Sequence, residues 1–230
     1  MKKLIVSVVV TMMPFVAQAG IINANNPGQM LGSAAGLDLT SGSTQMEGVV
    51  QGYDERSVTT TEDVKVDFLV NENLFLGNAF TGIDEANSYK TLVAGDYDSH
   101  LLRFDTPDIN VEGDLSNAIF EFDGDIVAII LSNGGSAGAL LNLSDAIFGN
   151  AASYDTGLGR RAESNDHFTL DLANSRTLTV DRLRVSNGFT DEIRVITRTQ
   201  VAEPSMLGLM GLSLAGLFFA RRRKEAKSEV

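Results

Sequence analysis

Apolar and polar positions alternate with period two along the middle of the chain, which predicts a domain of short β-strands. Val64, Val66, Phe68 and Val70 are apolar, with Asp63, Lys65 and Asp67 between them, so one face of that strand is expected to be wet. Leu74–Leu76, Tyr89–Ala94 and His100–Phe104 are further short candidates. Phe120-Glu121-Phe122 leads through Asp123-Gly124 into the apolar run Asp125–Leu131. An Asp-Gly pair between two β-prone runs predicts a hairpin. The run after it reads as a fully buried central strand. Phe168, Leu170 and Leu172 alternate with Thr169 and Asp171, Thr177–Val185 is β-branched, and Glu192–Thr199 makes a last strand. Helical signal is thin. Ala137–Phe148 carries Leu140, Leu141, Leu143, Ala146 and Ile147 at spacings that suit a short helix, and Ser144-Asp145 suits the cap of a smaller turn before Ala146. Residues 20–57 are rich in Gly, Asn, Ser and Thr, as a loosely structured N-terminal segment or irregular early strands would be. Many short strands between Gly, Asn and Asp turns predict an all-β fold, a single β-sandwich or jelly-roll-like domain over 58–199.

The two ends follow other rules. Met1-Lys2-Lys3 is a positive start, and Leu4–Val16 is an apolar run broken only by Ser7, Thr11 and Pro14. Ala17-Gln18-Ala19 is the small-x-small pattern that fits a signal peptidase's narrow pockets. Residues 1–19 therefore read as a signal peptide cut before Gly20. The apolar run is too short to cross a hydrocarbon core of about 30 Å. At the other end, Ala202-Glu203-Pro204-Ser205 precedes the apolar stretch 205–220, then Arg221-Arg222-Arg223-Lys224 within a basic tail 221–227. As a helix the stretch spans about 24 Å, short of a bilayer core by an amount that snorkelling arginines and local thinning can supply. Gly208, Gly211, Ala215 and Gly216 suit close helix contact. The basic cluster is expected to stay cytoplasmic, with the bulk of the protein outside.

The order of these parts at the C-terminus resembles the PEP-CTERM sorting signal of Gram-negative bacteria: a Pro-Glu-Pro motif, a short Gly- and Leu-rich helix and an Arg-rich end. Ala202 stands here in place of the first Pro; Glu203, Pro204, Ser205, the helix and the arginines match. The resemblance spans 202–227. It implies recognition by an exosortase, a membrane-embedded cysteine transpeptidase that cuts near the motif. It also implies an inner-membrane intermediate, a final place at the cell surface or outside the cell, and an association with exopolysaccharide and biofilm. The stretches Tyr154–Gly157, Asn165-Asp166 and Gly188–Thr197 resemble uncharacterised exported proteins that carry such a tail.

Composition changes what the middle can do. The chain has 230 residues, no Cys, no Trp, two His and a net charge of −12. Without Cys there is no disulfide framework, no thiolate nucleophile and no Cys-ligated zinc. Residues 20–202 hold 27 acids against 11 bases, a balance that argues against a nucleic-acid partner. His100 and His167 read as surface or strand-end residues, and no Gly-x-Ser-x-Gly elbow accompanies them. There is no Walker loop or dinucleotide fingerprint. A glycosidase needs two carboxylates across a groove, and acids are too many here for their presence to point to one. Tyr53, Tyr89, Tyr97 and Tyr154 are the tyrosines; Tyr89, Tyr97 and Tyr154 are the candidate stacking residues of a carbohydrate-binding module, which the lack of Trp weakens. Asp96, Asp98, Asp123 and Asp125 place alternate carboxylates in expected loops, a pattern that suits a structural Ca²⁺, while Asp123-Gly124-Asp125 equally suits a plain turn. No other cofactor is expected. Arg160-Arg161 is read as an exposed loop pair, docked to an anionic polysaccharide or paired with Glu163 or Asp166. The expectation is a non-enzymatic exported surface or matrix protein; the alternatives are a carbohydrate-binding module and a secreted glycoside hydrolase. Its expected partners are signal peptidase, an exosortase, the inner membrane in passing, and exopolysaccharide.

Overall fold

The computed structural model describes residues 20–40, 48–70, 89–105, 113–131, 140–155, 160, 166–170, 174–185 and 190–199. The chain divides into two units, and all the described residues belong to the one spanning Gln18–Gln200. The signal peptide, the sorting motif, the apolar stretch 205–220, the strand at 74–76 and Leu172 lie outside the described residues. Among the described residues no helix is long and apolar enough to cross a membrane.

In chain order the strands are β1 (Ile21–Asn25), β2 (Gly28–Ser33), β3 (Asp38–Leu39), β4 (Val50–Thr60), β5 (Val64–Val66), β6 (Phe68–Leu69), β7 (Lys90–Leu92), β8 (Gly95–Phe104), β9 (Gly113–Leu115), β10 (Ala118–Phe122) and β11 (Ile126–Ile130). Helix α1 (Leu140–Phe148) follows, then β12 (Ser153–Tyr154), β13 (His167–Leu170), β14 (Thr177–Val185) and β15 (Asp191–Arg198). One sheet runs β1-β10-β14-β13, with β9 also on β14; the other runs β2-β4-β8-β15-β11-β6. Two small pairs, β3 with β12 and β5 with β7, stand apart from them. The fold is all-β apart from α1.

The two large sheets share one apolar core. Ile21, Phe120, Phe122, Leu178 and Val180 come from the first, and Val50, Leu102, Phe104, Ile129, Ile193 and Val195 from the second. Since side chains alternate along a strand, the residues between these on the second sheet face the other way. There Tyr97, Ala128, Ile130 and Ile196 pack with Leu140, Leu141 and Phe148 of α1, and Tyr53 and Leu101 pack with Leu39 of β3. The second sheet is thus covered on both faces.

The predicted domain start at 58 falls inside β4. Residues 20–57 contain β1, β2, β3 and most of β4. The Gly, Ser and Asn content concealed this, because β4 lies between β2 and β8 and needs few apolar residues of its own. The single strand expected over 64–70 is two. Asp67, buried between β5 and β6, accepts the Leu131 amide at 2.8 Å, and its own amide donates to Ile129.

The predicted Asp123-Gly124 hairpin does not form. β10 pairs with β1 and β14 in one sheet, whereas β11 pairs with β15 and β6 in the other. The turn is a crossing between layers, and its backbone bonds reach sideways: the Ile126 amide to Ser175, the Arg198 amide to Asp125. Gly124 is needed for close approach, since a β-carbon there would lie 2.5 Å from the Arg198 carbonyl oxygen. Gly124→Ala is expected to cost about 1–3 kcal/mol, because the obstacle is backbone. Urea unfolding measures this; an unchanged midpoint would show that the crossing has slack.

Candidate functional site

The most unusual feature among the described residues is a layer of buried charge between the second sheet and α1. Its members come from distant parts of the chain. Glu55 is on β4, Arg103 on β8, and Glu192 and Arg194 on β15; all four are fully buried. Asp145 comes from α1 and Arg160 from the connection after β12. Alternation on β15 sends Ile193 and Val195 into the sandwich core and Glu192 and Arg194 into this layer.

The pairing is continuous. Arg194 grips Glu55 with two parallel bonds, Nε to Oε2 and Nη2 to Oε1, each 2.7 Å. Such forked pairs are the strongest charge-assisted geometry. Arg194 Nη2 also donates to Asp145 at 2.8 Å, and Nη1 donates to Ser144 and the Leu141 carbonyl. Asp145 accepts from Arg160 Nη1 at 2.5 Å and Nη2 at 3.0 Å. Arg160 Nε donates to Glu192, whose other oxygen lies 3.3 Å from Arg103 Nε. Arg103 ends the chain on Asp105 and the Thr40 carbonyl, both at 2.9 Å. Tyr154 lies under two guanidinium groups, 4.7 Å from Arg160 and 5.6 Å from Arg194, and its hydroxyl donates to Glu55 at 2.6 Å.

The electrostatics follow from this. Burial pushes the Glu55 carboxyl up, but the Arg194 guanidinium, with hydroxyl donors from Ser99 and Tyr154, outweighs burial and holds it below the usual glutamate range. Burial works against the charges of Arg194 and Arg160 as well. Glu55 with Asp145, and Glu192 with Asp145, override it and raise both. Burial and the Glu55 charge hold the Tyr154 hydroxyl well above its ordinary value, so it remains a donor. The layer is therefore a set of fixed charges that order α1 against the sheet.

A pH dependence follows. Glu55 titrates near 4.3 when unfolded and lower when folded, so its contribution is complete above about pH 4.3 and is lost as pH falls through the folded value. The urea midpoint is expected to fall steeply below about pH 4, and less steeply in a Glu55→Leu/Arg194→Met variant. Equal slopes in the two proteins would assign the acid lability to other carboxylates.

The residues singled out from sequence are dispersed. Arg160, expected in an exposed loop, is fully buried in the ionic layer and paired with Glu192 and Asp145; Arg161 and Glu163 lie outside the described residues. His100, expected at a surface or strand end, is fully buried within β8. Its Nδ1 lies 2.8 Å from Asp54 and its Nε2 3.1 Å from the Thr197 hydroxyl. This order of groups is that of a hydrolase triad, but Thr197 and His100 are both inaccessible, so no substrate carbonyl can reach the hydroxyl. Of the tyrosines, Tyr97 is buried and donates to the Val93 carbonyl, Tyr89 packs beside it under Lys65, and Tyr154 sits in the ionic layer; they share no flat face. Tyr97 and Arg198 line a cleft of about 310 Å³ with Leu69, Leu92 and Val127.

The four aspartates read for Ca²⁺ take separate partners. Asp96 and Asp98 lie in β8 rather than a loop, accepting from Thr59 and Ser57. Asp125 accepts from Ser175 at 2.9 Å and Arg176 at 3.2 Å. Asp123 accepts the Gly20 amide at 2.9 Å. Among the described residues no group of three His, Asp or Glu side chains is arranged to hold a metal ion.

Asp123 has a setting of its own. The Gly20 carbonyl in turn accepts the Asp123 amide at 3.1 Å. Beside it, Asp54 Oδ1 accepts the Ile21 amide at 2.9 Å. Burial raises the Asp123 carboxyl above its ordinary value, and the nearby charges of Asp98 and Asp54 add to that, opposed by the Gly20 bond and His100.

Comparison with known proteins places the C-terminal segment. No curated protein and no solved structure matches the chain. Residues 200–224 match the family model described as the PEP-CTERM protein-sorting motif, which covers Ala202–Ser205 and Arg221–Lys224. The C-terminal segment therefore carries a PEP-CTERM sorting motif, the kind of signal borne by exported, sorted proteins.

Proposed function

We propose that this protein is a non-enzymatic component of the cell surface or extracellular matrix, delivered there by its two ends and retained as a folded β domain. Signal peptidase removes residues 1–19, the apolar stretch 205–220 holds the intermediate in the inner membrane, and an exosortase cuts near Ala202-Glu203-Pro204-Ser205. The released domain then associates with exopolysaccharide. The observation that carries this reading is the sorting motif at residues 200–224. The use of interior charge supports the non-enzymatic part: Glu55, Glu192, Arg103, Arg160 and Arg194 are spent on one another, out of reach of any substrate.

The test is a reporter protein fused to residues 199–230, expressed in strains with and without the exosortase. Loss of the tail, read as a drop in mass and release from the membrane fraction, is expected only where the enzyme is present. A product uncut and membrane-bound in both strains overturns the processing step. Replacing Arg221, Arg222 and Arg223 with Ala is expected to reduce the processed fraction at least tenfold, by removing the charge that holds the tail on the cytoplasmic side.

A further inference from the structure

The mature N-terminus has a destination in the fold. We propose that Asp123, Asp54 and Asp98 form the seat of the chain's own α-ammonium group, so that removal of the leader completes an ion pair and locks β1 onto the sandwich. This rests on the proposed cut before Gly20.

The chemistry of the cut changes the group that Asp123 meets. Water adds across the Ala19–Gly20 peptide bond; the leader leaves with the Ala19 carboxylate, and the Gly20 nitrogen takes up protons to become an ammonium. An amide with one N–H becomes a cation with three donors. That nitrogen already lies 2.9 Å from Asp123 Oδ1. Its position is held from both sides, by the Asp123 amide on the Gly20 carbonyl and by Asp54 on the Ile21 amide.

Acidic groups gather at this point. Among the described residues the charges that act on Asp123 include two carboxylates, Asp98 and Asp54, and His100. Asp98 is 1% exposed, and its Oδ2 has no hydrogen-bond partner among the described residues. A buried carboxylate oxygen left in that state is costly, and a cation nearby relieves it. With the leader attached, three acids crowd an uncharged amide. With the leader removed, Asp123 meets a unit positive charge at hydrogen-bond distance and the neighbouring acids feel the same charge, where low dielectric strengthens the attraction.

The residue at position 20 fits this role. A β-carbon there would stand 3.2 Å from Asp54 Oδ2, closer than side chains ordinarily pack, so glycine lets the terminus lie against the carboxylates. Among the described residues β1 pairs with β10 alone, at the edge of its sheet, which makes its first residue the place where an added tie holds most. The device also gives order to export, since the domain reaches full stability only after the leader has gone.

The experiment uses Gly20–Val230 in detergent, preceded by a tag and a protease site whose cut leaves Gly20 first. Melting is measured on the same sample before and after the cut. The expected rise is about 3 °C or more. In Asp123→Asn and Asp98→Asn the rise is expected to vanish, while Asp114→Asn, at a distant exposed ion pair, keeps it. No rise, or an equal rise in Asp123→Asn, overturns the seat. Should the aspartate variants fail to fold, carbamylation of the Gly20 amine by cyanate gives a second reading on the unaltered chain. It is expected to be at least tenfold slower in the folded protein than in urea, and equal rates overturn the proposal. Mass spectrometry of the exported protein separates the premises. A first residue other than Gly20 overturns the leader assignment and the seat together; Gly20 first with no rise on cutting overturns the seat alone.

Discussion

Arg194→Met is expected to lower the unfolding free energy by about 3–5 kcal/mol, the usual loss when one partner of a buried ion pair is removed. The arginine is fully buried, and four acceptors depend on it: Glu55, Asp145, the Ser144 hydroxyl and the Leu141 carbonyl. Without it the Glu55 carboxylate stays fully buried, with hydroxyl donors from Ser99 and Tyr154 as its remaining help. In a domain of this size the loss corresponds to a fall in melting temperature of roughly 10 °C. The double variant Glu55→Leu/Arg194→Met is expected to be more stable than Arg194→Met alone, since both charges then leave the interior together. Urea unfolding of the two single variants and the double gives the coupling directly. A loss under about 1 kcal/mol in Arg194→Met, or a double variant whose loss equals the sum of the singles, would show that the layer is hydrated and the pair weak.

Phe120→Ala is expected to cost about 3–5 kcal/mol for a different reason. The ring is fully buried between the sheets, and part of its wall is the backbone at Gly28 and Gly52. Its atoms lie 2.8 Å from where a β-carbon on Gly52 would stand and 3.1 Å from that position on Gly28. The ring fills the space these glycines leave open. Backbone in β2 and β4 is tied into the sheet on both sides of Gly52, so the cavity cannot collapse. Gly52→Ala should therefore change sign with context. In the parent it drives a methyl group into the ring and into Ile21 Cδ1, 2.9 Å away, and destabilises; in the Phe120→Ala background the Ile21 end can swing into the void, so the methyl fills part of it and stabilises. Urea midpoints of the four proteins decide it. A Gly52→Ala effect of the same sign in both backgrounds would show that the sheets move to close the gap.

How much of this was legible in the sequence depends on what each feature needs. Strand existence needs only local alternation and β-branched content, and β13, β14 and β15 fall where those patterns put them. Helix α1 also lies within the stretch whose leucines suggested it. Pairing is another matter. Asp123-Gly124 has the residues of a tight hairpin, but a turn's composition does not say whether the next strand folds back in the same sheet or crosses to the facing one. That choice was made by Arg198, Ser175 and Gly20, which take the backbone bonds around the turn and are remote in sequence.

The ionic layer was hidden for a related reason. In Glu192-Ile193-Arg194-Val195-Ile196 the charged positions alternate with apolar ones, which on a local view means a face open to water. On β15 that face lies beneath α1. Nothing in the strand distinguishes the two cases, because a charge paired in the interior and a charge in water use the same residue types. Arg160 was misplaced likewise, since its neighbours Gly157, Leu158 and Gly159 describe a loop but not which surface the loop covers. The split at residue 58 arose because β4 is buried by its place between β2 and β8 and not by its own hydropathy.

The sequence by itself determined the C-terminal sorting motif and the class of fold. A sorting signal is read as a linear segment by an enzyme in the membrane, so its motif, apolar stretch and basic end must be contiguous and are visible without any fold. The all-β class is likewise a sum of local preferences. Tertiary structure alone decided which strands share a sheet, that Glu55, Asp145, Glu192, Arg160 and Arg194 meet in one buried layer, and that Gly20 lies against Asp123. Those are contacts between residues up to 139 positions apart, set by which faces bury best against each other, and no local pattern records them.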